Sequence, residues 1–298
     1  MTLRTRRLPT GLTARAYQAG DENQVLELIN ADRLPGQPAC TPAMLGEAVA
    51  GRSTVDAGWW AELDPPRTEV LVDQAGRVAG VVSFAARPED KAGLILWLHG
   101  REDPAMVAAL VGHALAELGR RPVVYAFEFA SALTLGLEGL PVRHRPATHR
   151  ALVEAGFAGR DLWRYMRRDL AGIDSAQVEG QDPVATVTPC EDPVGWRLEV
   201  RDPQGALAGE ATVGEPVDGI GVLWWIEVAP PHRGRGIGRA LLRQALAHLA
   251  GHGAREVILY VDDDEPPGGE RDRTAANALY DAMGFTEVDR LHSYTRRR

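Results

Sequence analysis

From Arg233 to Gly238 the chain reads Arg-Gly-Arg-Gly-Ile-Gly, and its flanks give that run a setting. Before it stands the apolar stretch 223–229, a buried strand by composition, closed by Pro230 and Pro231. After it, residues 239–249 repeat apolar side chains at helical spacing. A glycine turn that opens a helix presents unpaired backbone N–H groups beside the positive end of the helix dipole. With no side chain in the way, a phosphate oxygen can approach the backbone closely. These residues are therefore suited to holding an anion, above all a phosphate or pyrophosphate.

Three phosphate motifs compete for the run. A Walker loop needs a lysine after its last glycine, and none is present, Lys91 being the only lysine in the chain. The dinucleotide fingerprint G-x-G-x-x-G places its third glycine at Arg239 or Leu241 and fails. The pattern that fits is [QR]-x-x-G-x-[GA] after a V-x-P strand end. Val228 and Pro230 supply the strand end, and Arg233, Gly236 and Gly238 the turn. A second pattern follows at Ala276, Leu279, Tyr280, Gly284 and Phe285. With the two together at this separation, the sequence resembles the GNAT family of acyl-CoA-dependent N-acetyltransferases over residues 197–297.

The resemblance implies acetyl-CoA, or another acyl-CoA, as co-substrate. Backbone N–H groups of Arg233, Gly234, Arg235, Gly236, Ile237, Gly238 and Arg239 would hold its pyrophosphate. Backbone groups of Ile226 and Val228 would pair with the pantetheine arm, and the strands around 223–229 and 256–261 would splay to admit the thioester. Attack of a neutral amine on that thioester needs a proton acceptor for the amine and a proton for the departing thiolate. Tyr280 matches the tyrosine that protonates the thiolate in many relatives. Relatives often carry a glutamate base before the V-x-P valine, where this chain has Val222 and Trp224; Glu227 is the best nearby carboxylate, though it points to the strand face opposite Val228. Arg273 stands where many relatives have asparagine, and the acidic loop 262–270 suits a cationic acceptor.

These residues must be held by a fold, and the chain repeats the elements of one. Helix-then-glycine segments at 151–156 and 278–284 are each expected to lead into a strand pair. Upstream of them, amphipathic stretches at 105–118 and 239–249 lead into apolar runs at 122–129 and 256–261. Hairpin signatures turn at Gly76 and Gly205. The expected fold class is α/β (α+β), as two tandem GNAT-like domains, each a mixed, mostly antiparallel sheet flanked by helices. Their bounds are 1–172, the degenerate copy, and 173–298, the copy with the acyl-CoA site; the polar stretch 171–181 links them. Early helices near 21–30 and before Trp59 have no counterpart in the second half. In the first half the cradle position reads His99-Gly100-Arg101-Glu102-Asp103, with two acids where phosphate would sit, and Leu152 replaces the tyrosine.

Composition bounds the rest. The 298 residues are 45% hydrophobic and 25% charged, as in a globular protein with a real core. A net charge of −8 disfavours general nucleic-acid binding, and no apolar run is long enough to span a bilayer. Cys40 and Cys190 read as reduced thiols, no Cys/His cluster has zinc spacing, and the expected compartment is the cytoplasm. The reading is an N-acyltransferase passing acetyl to the primary amine of a small molecule, as a monomer or homodimer, without metal. A protein N-acetyltransferase and a non-catalytic acyl-CoA-binding module are the alternatives.

Overall fold

A computed structural model of the protein describes residues 11–53, 55–172, 183–262 and 272–298. The linker and acidic loop expected at 171–181 and 262–270 lie almost wholly outside them. The chain divides into two compact units, Met1–Leu162 with Asp289–Arg298, and Trp163–Val288.

In the first unit, β1 (Thr13–Ala16), β2 (Arg67–Val72), β3 (Val78–Arg87), β4 (Ala92–His99), β5 (Val123–Ala126) and the end of β13 (Thr286–Arg297) are neighbours in that order. The short β6 (Leu140–Pro141) also pairs with β13. β4 and β5 run parallel, while β2–β3, β3–β4 and β5–β13 are antiparallel. Both faces are covered, which is why β3 and β4 are nearly continuous apolar runs rather than alternating ones. On one face Val107, Leu110 and Ala114 of α4 (Pro104–Leu118), with Leu152 of α5 (Pro146–Glu154), pack on Phe84, Leu98 and Tyr294. On the other, Val25 and Leu28 of α1 (Glu22–Ala31), Leu45 of α2 (Pro42–Val49) and Trp60 of α3 (Ala57–Trp60) pack on Val70, Val81 and Leu94. These are the early helices read from the sequence. Asp103 starts α4 by accepting the Met106 N–H at 2.8 Å.

The second unit orders its strands as the latter part of β7 (Ala158–Asp169), then β12 (Glu256–Asp262), β11 (Ile220–Val228), β10 (Leu207–Gly214), β9 (Val194–Arg201) and β8 (Thr186–Glu191). β11 and β12 are parallel; the other described pairs are antiparallel. Leu241, Leu242, Ala245 and Leu249 of α6 (Ile237–Gly251) bury against Val200, Ala211 and Leu223. Tyr280 of α7 (Thr274–Ala282) closes that core beside Phe285. The run at 122–129 is strand only to Ala126, because Phe127 turns to a left-handed backbone. The segments after Gly156 and Gly284 are single long strands, β7 and β13, rather than strand pairs.

Candidate active site

The second unit builds a slot between β11 and β12. Their parallel register runs from Ile220–Glu256 to Leu223–Leu259 and ends there. At that point the register of β11 against β10 slips: Leu223 faces Val213 and Trp225 faces Thr212, so Trp224 is an inserted residue. A bulge of this kind bends its strand and increases the local twist, which carries β11 away from β12. It also resets which side chains face α6, so that Ile226 and Val228 join the core while Trp225 and Glu227 point outward.

The bulge leaves a backbone edge for the slot. The Ala229 N–H donates to the Ala208 carbonyl at 3.0 Å, which makes that pair a hydrogen-bonded rung. Rungs alternate in an antiparallel ladder, so Glu227 meets Glu210 on the next rung, and the peptide groups of Ile226 and Val228 turn toward the β12 side. Arg233, which the sequence assigned to the cofactor, donates its Nε to the Val228 carbonyl at 3.0 Å. That bond ties the turn to the strand end and leaves the N–H of Val228 as the group suited to a bound chain.

The turn ends in a bare helix start. Gly236 is the N-cap of α6, left-handed at φ +81°, with no side-chain cap; Gly234 is at φ +73°. A Cβ added at either glycine would meet nothing within 4 Å, so the space over the first N–H groups is open. Arg233, Gly234, Arg235, Gly236 and Arg239 are exposed, while Ile237 is buried and anchors the helix. The matching helix of the first unit differs: Asp103 caps α4. Glu102 meanwhile accepts from the backbone N–H groups of Ala147 and Thr148 at 2.8 and 3.0 Å, and from Arg145. The two acids read in the sequence are thus committed to helix starts of their own unit.

Tyr280 is 6% exposed, and burial pushes its phenol up to about 12, with the Arg273 charge pulling back. Arg273 lies 3.6 Å from Asp262 at the end of β12. Arg164 of β7 holds α7 in place, reaching Glu287 at 2.7 Å, Asp281 at 3.3 Å and Asn277. Glu227 is exposed, with Glu210 as its cross-strand neighbour.

The acetyltransferase (GNAT) family pattern matches residues 177–285. A mycothiol acetyltransferase of Tsukamurella paurometabola is 30% identical over 277 residues, covering 84% of this chain and 87% of the relative. This chain belongs to the GNAT acetyltransferase family. A second mycothiol acetyltransferase, from Thermobispora bispora, is 28% identical over 237 residues, 75% of this chain and 73% of the relative. A tandem GNAT protein from the clavulanic acid biosynthesis pathway shares the fold at a TM-score of 0.65 and 18% identity, with 96% of this chain and 98% of that one covered.

The GNAT chain is thus an acyltransferase in a tandem arrangement. Its structure brings Ile226, Val228 and the 233–239 turn to one end of the slot, with Tyr280 in the adjoining core. Three features escaped the sequence reading: the Trp224 bulge, the Arg233 tie and the Arg164 network. Only Arg233 carried a signal, as the first residue of the turn motif. Cys40 and Cys190 are free thiols.

Proposed function

We propose that the protein transfers acetyl from acetyl-CoA to a primary amine of a small molecule in the cytoplasm. The observation that carries this is the uncapped start of α6 lying at the open end of the β11–β12 slot. The N–H groups of residues 233–239 suit the pyrophosphate, and those of Ile226 and Val228 suit the pantetheine arm. The acceptor nitrogen bonds to the thioester carbon as the C–S bond breaks. Glu227, or water it orients, takes the amine proton, and Tyr280 gives its phenolic proton to the departing sulfur. The relatives named mycothiol acetyltransferase support a small-molecule acceptor.

Residues 1–172 and 173–298 are proposed as the two repeats, with the acyl-CoA site in the second, because Asp103 already fills the α4 start that corresponds to α6. No helix among the described residues is long and apolar enough to cross a membrane. A monomer or homodimer without nucleic-acid partners suits the net charge of −8.

The test is release of free thiol from acetyl-CoA across a panel of primary amines, with a lysine peptide for comparison. Acceptor-dependent release with small amines is expected. Saturable acetyl-CoA binding without release for any acceptor would overturn the transfer reading, and peptide-only release would overturn the acceptor class.

A further inference from the structure

The bulge of β11 decides where two neighbouring tryptophans point. In a regular strand successive side chains alternate between faces, which would put Trp224 and Trp225 on opposite sides. Here Leu223 belongs to the core around α6, Ile226 packs against it, and the inserted residue falls between the two. A bulge with two residues against one sets both of them on the same side of the sheet. Trp224 and Trp225 therefore both project from the face opposite α6.

Gly214 of β10 records the same placement. A Cβ added there would lie 2.6 Å from Nε1 of Trp224, so the indole rests on bare backbone. Gly214 follows Val213, whose side chain is in the core, and its own Cβ direction is therefore the outer face. Seated in this way, Trp224 is half-buried. Trp225 is 46% exposed and continues a cross-strand row with Thr212 and Arg197.

This is also the face from which an acceptor can reach the slot. On the other face α6 and α7 fill the space with Leu241, Leu242 and Tyr280. The parallel register of β11 with β12 ends at Leu223, so the two tryptophans are the first residues of the splayed stretch. The charged groups around them carry both signs. Arg197 lies along the Trp225 row, Glu210 and Glu227 oppose each other on the next, and Glu199 is bound by Arg201 at 2.7 Å. Net charge does not single out a ligand on such a face, whereas a broad, half-exposed indole favours a flat ring that can stack on it.

We propose that Trp224 and Trp225 form the acceptor wall of the transfer site, and that the acceptor is a primary amine on a short arm from an aromatic ring that stacks on Trp225. The proposal rests on the transfer reading above and names the substrate class for it. The ring lies on the Trp225 indole with Trp224 as the inner end of the wall, which leaves the amine to reach into the slot where β11 parts from β12.

The experiment compares phenethylamine with hexylamine, an apolar amine of similar reach without a ring, by thiol release from acetyl-CoA with the full chain. The kcat/KM for phenethylamine is expected to exceed that for hexylamine at least about fivefold. Trp225→Ala brings that ratio near one through a raised KM for phenethylamine, and Trp225→Phe keeps most of it. Gly214→Ala retains both tryptophans but displaces the Trp224 indole, and lowers the ratio as well. Calorimetric titration of both amines into wild type and Trp225→Ala, without acetyl-CoA, reads the wall independently of turnover. Ring-dependent binding that is lost in Trp225→Ala, with no thiol release for any amine, would overturn the transfer reading and leave the wall standing. A ratio near one in wild type, or a preference kept in a folded Trp225→Ala, would overturn the wall and leave the transfer reading standing. An unaltered ratio in Gly214→Ala would overturn the part assigned to Trp224.

Discussion

Tyr280 shows how one side chain is shaped by its surroundings. On the sequence it is either a proton donor or a core aromatic, and the structure buries it in the core of the second unit beside Phe285. Burial raises its phenol to about 12, so the acid form dominates through the range in which amine acceptors lose their protons. The sign follows: the neutral phenol is what the fold favours, so its contribution to stability is complete below pH ~10 and is lost as pH rises through about 12. Giving that proton to a thiolate whose thiol sits near pKa ~8.5 runs uphill, and the Arg273 charge offsets part of the climb. Tyr280→Phe is expected to lower kcat by about 10²-fold or more, with the KM for acetyl-CoA changed less than about threefold. No alkaline fall in wild-type kcat below pH ~9 should depend on Tyr280. A kcat within a factor of about two of wild type would leave Tyr280 as packing alone.

At the scale of elements, the same strand–turn–helix unit has two endings. β11 ends in an open glycine turn and an uncapped α6, while β4 ends in a turn whose acids cap α4 and α5. A carboxylate and a phosphate both satisfy helix N–H groups, so the start that already holds its own acid has little left to offer a ligand. Gly236 tests this. Its left-handed backbone costs an L-residue about 1–2 kcal/mol, but an added Cβ meets nothing in the fold and lies in the space over the helix start. Gly236→Ala should therefore raise the KM for acetyl-CoA about tenfold while leaving kcat within about threefold. Steady-state kinetics at saturating acceptor reads the split; an unchanged KM would move the pyrophosphate away from this turn.

At the scale of the molecule, the compact units are not the sequence halves. The C-terminal segment Asp289–Arg298 belongs with the first unit: Tyr294–Arg297 pair with Val123–Ala126, and Tyr294 is fully buried with its hydroxyl 2.6 Å from His149. Asp289, also buried, accepts the backbone N–H groups of Arg143 and His144. Truncation after Val288 should strip β5 of its neighbour and the core of a large aromatic, a loss of roughly 3–5 kcal/mol or more. A melting temperature lowered by about 10 °C, or an insoluble chain, is expected in a thermal scan, against a shift of a few degrees for Tyr294→Phe. An unaltered melt after truncation would show that the first unit stands without this strand. The glycine turn, the hairpins at Gly76 and Gly205 and the starts of α4 and α6 were legible in the sequence, because each depends on residue types within a few positions of one another. The Trp224 bulge was not, since it is a mismatch of register between two strands. Nor was the seat of the Trp224 indole on Gly214, two residues that lie on separate strands and are joined only by packing. The sequence by itself determined the chemistry of the turn and the kind of fold that presents it. The tertiary structure alone decided which strand completes which unit and which face of the sheet carries both tryptophans, because strand pairing and burial join residues whose separation along the chain carries no local signal.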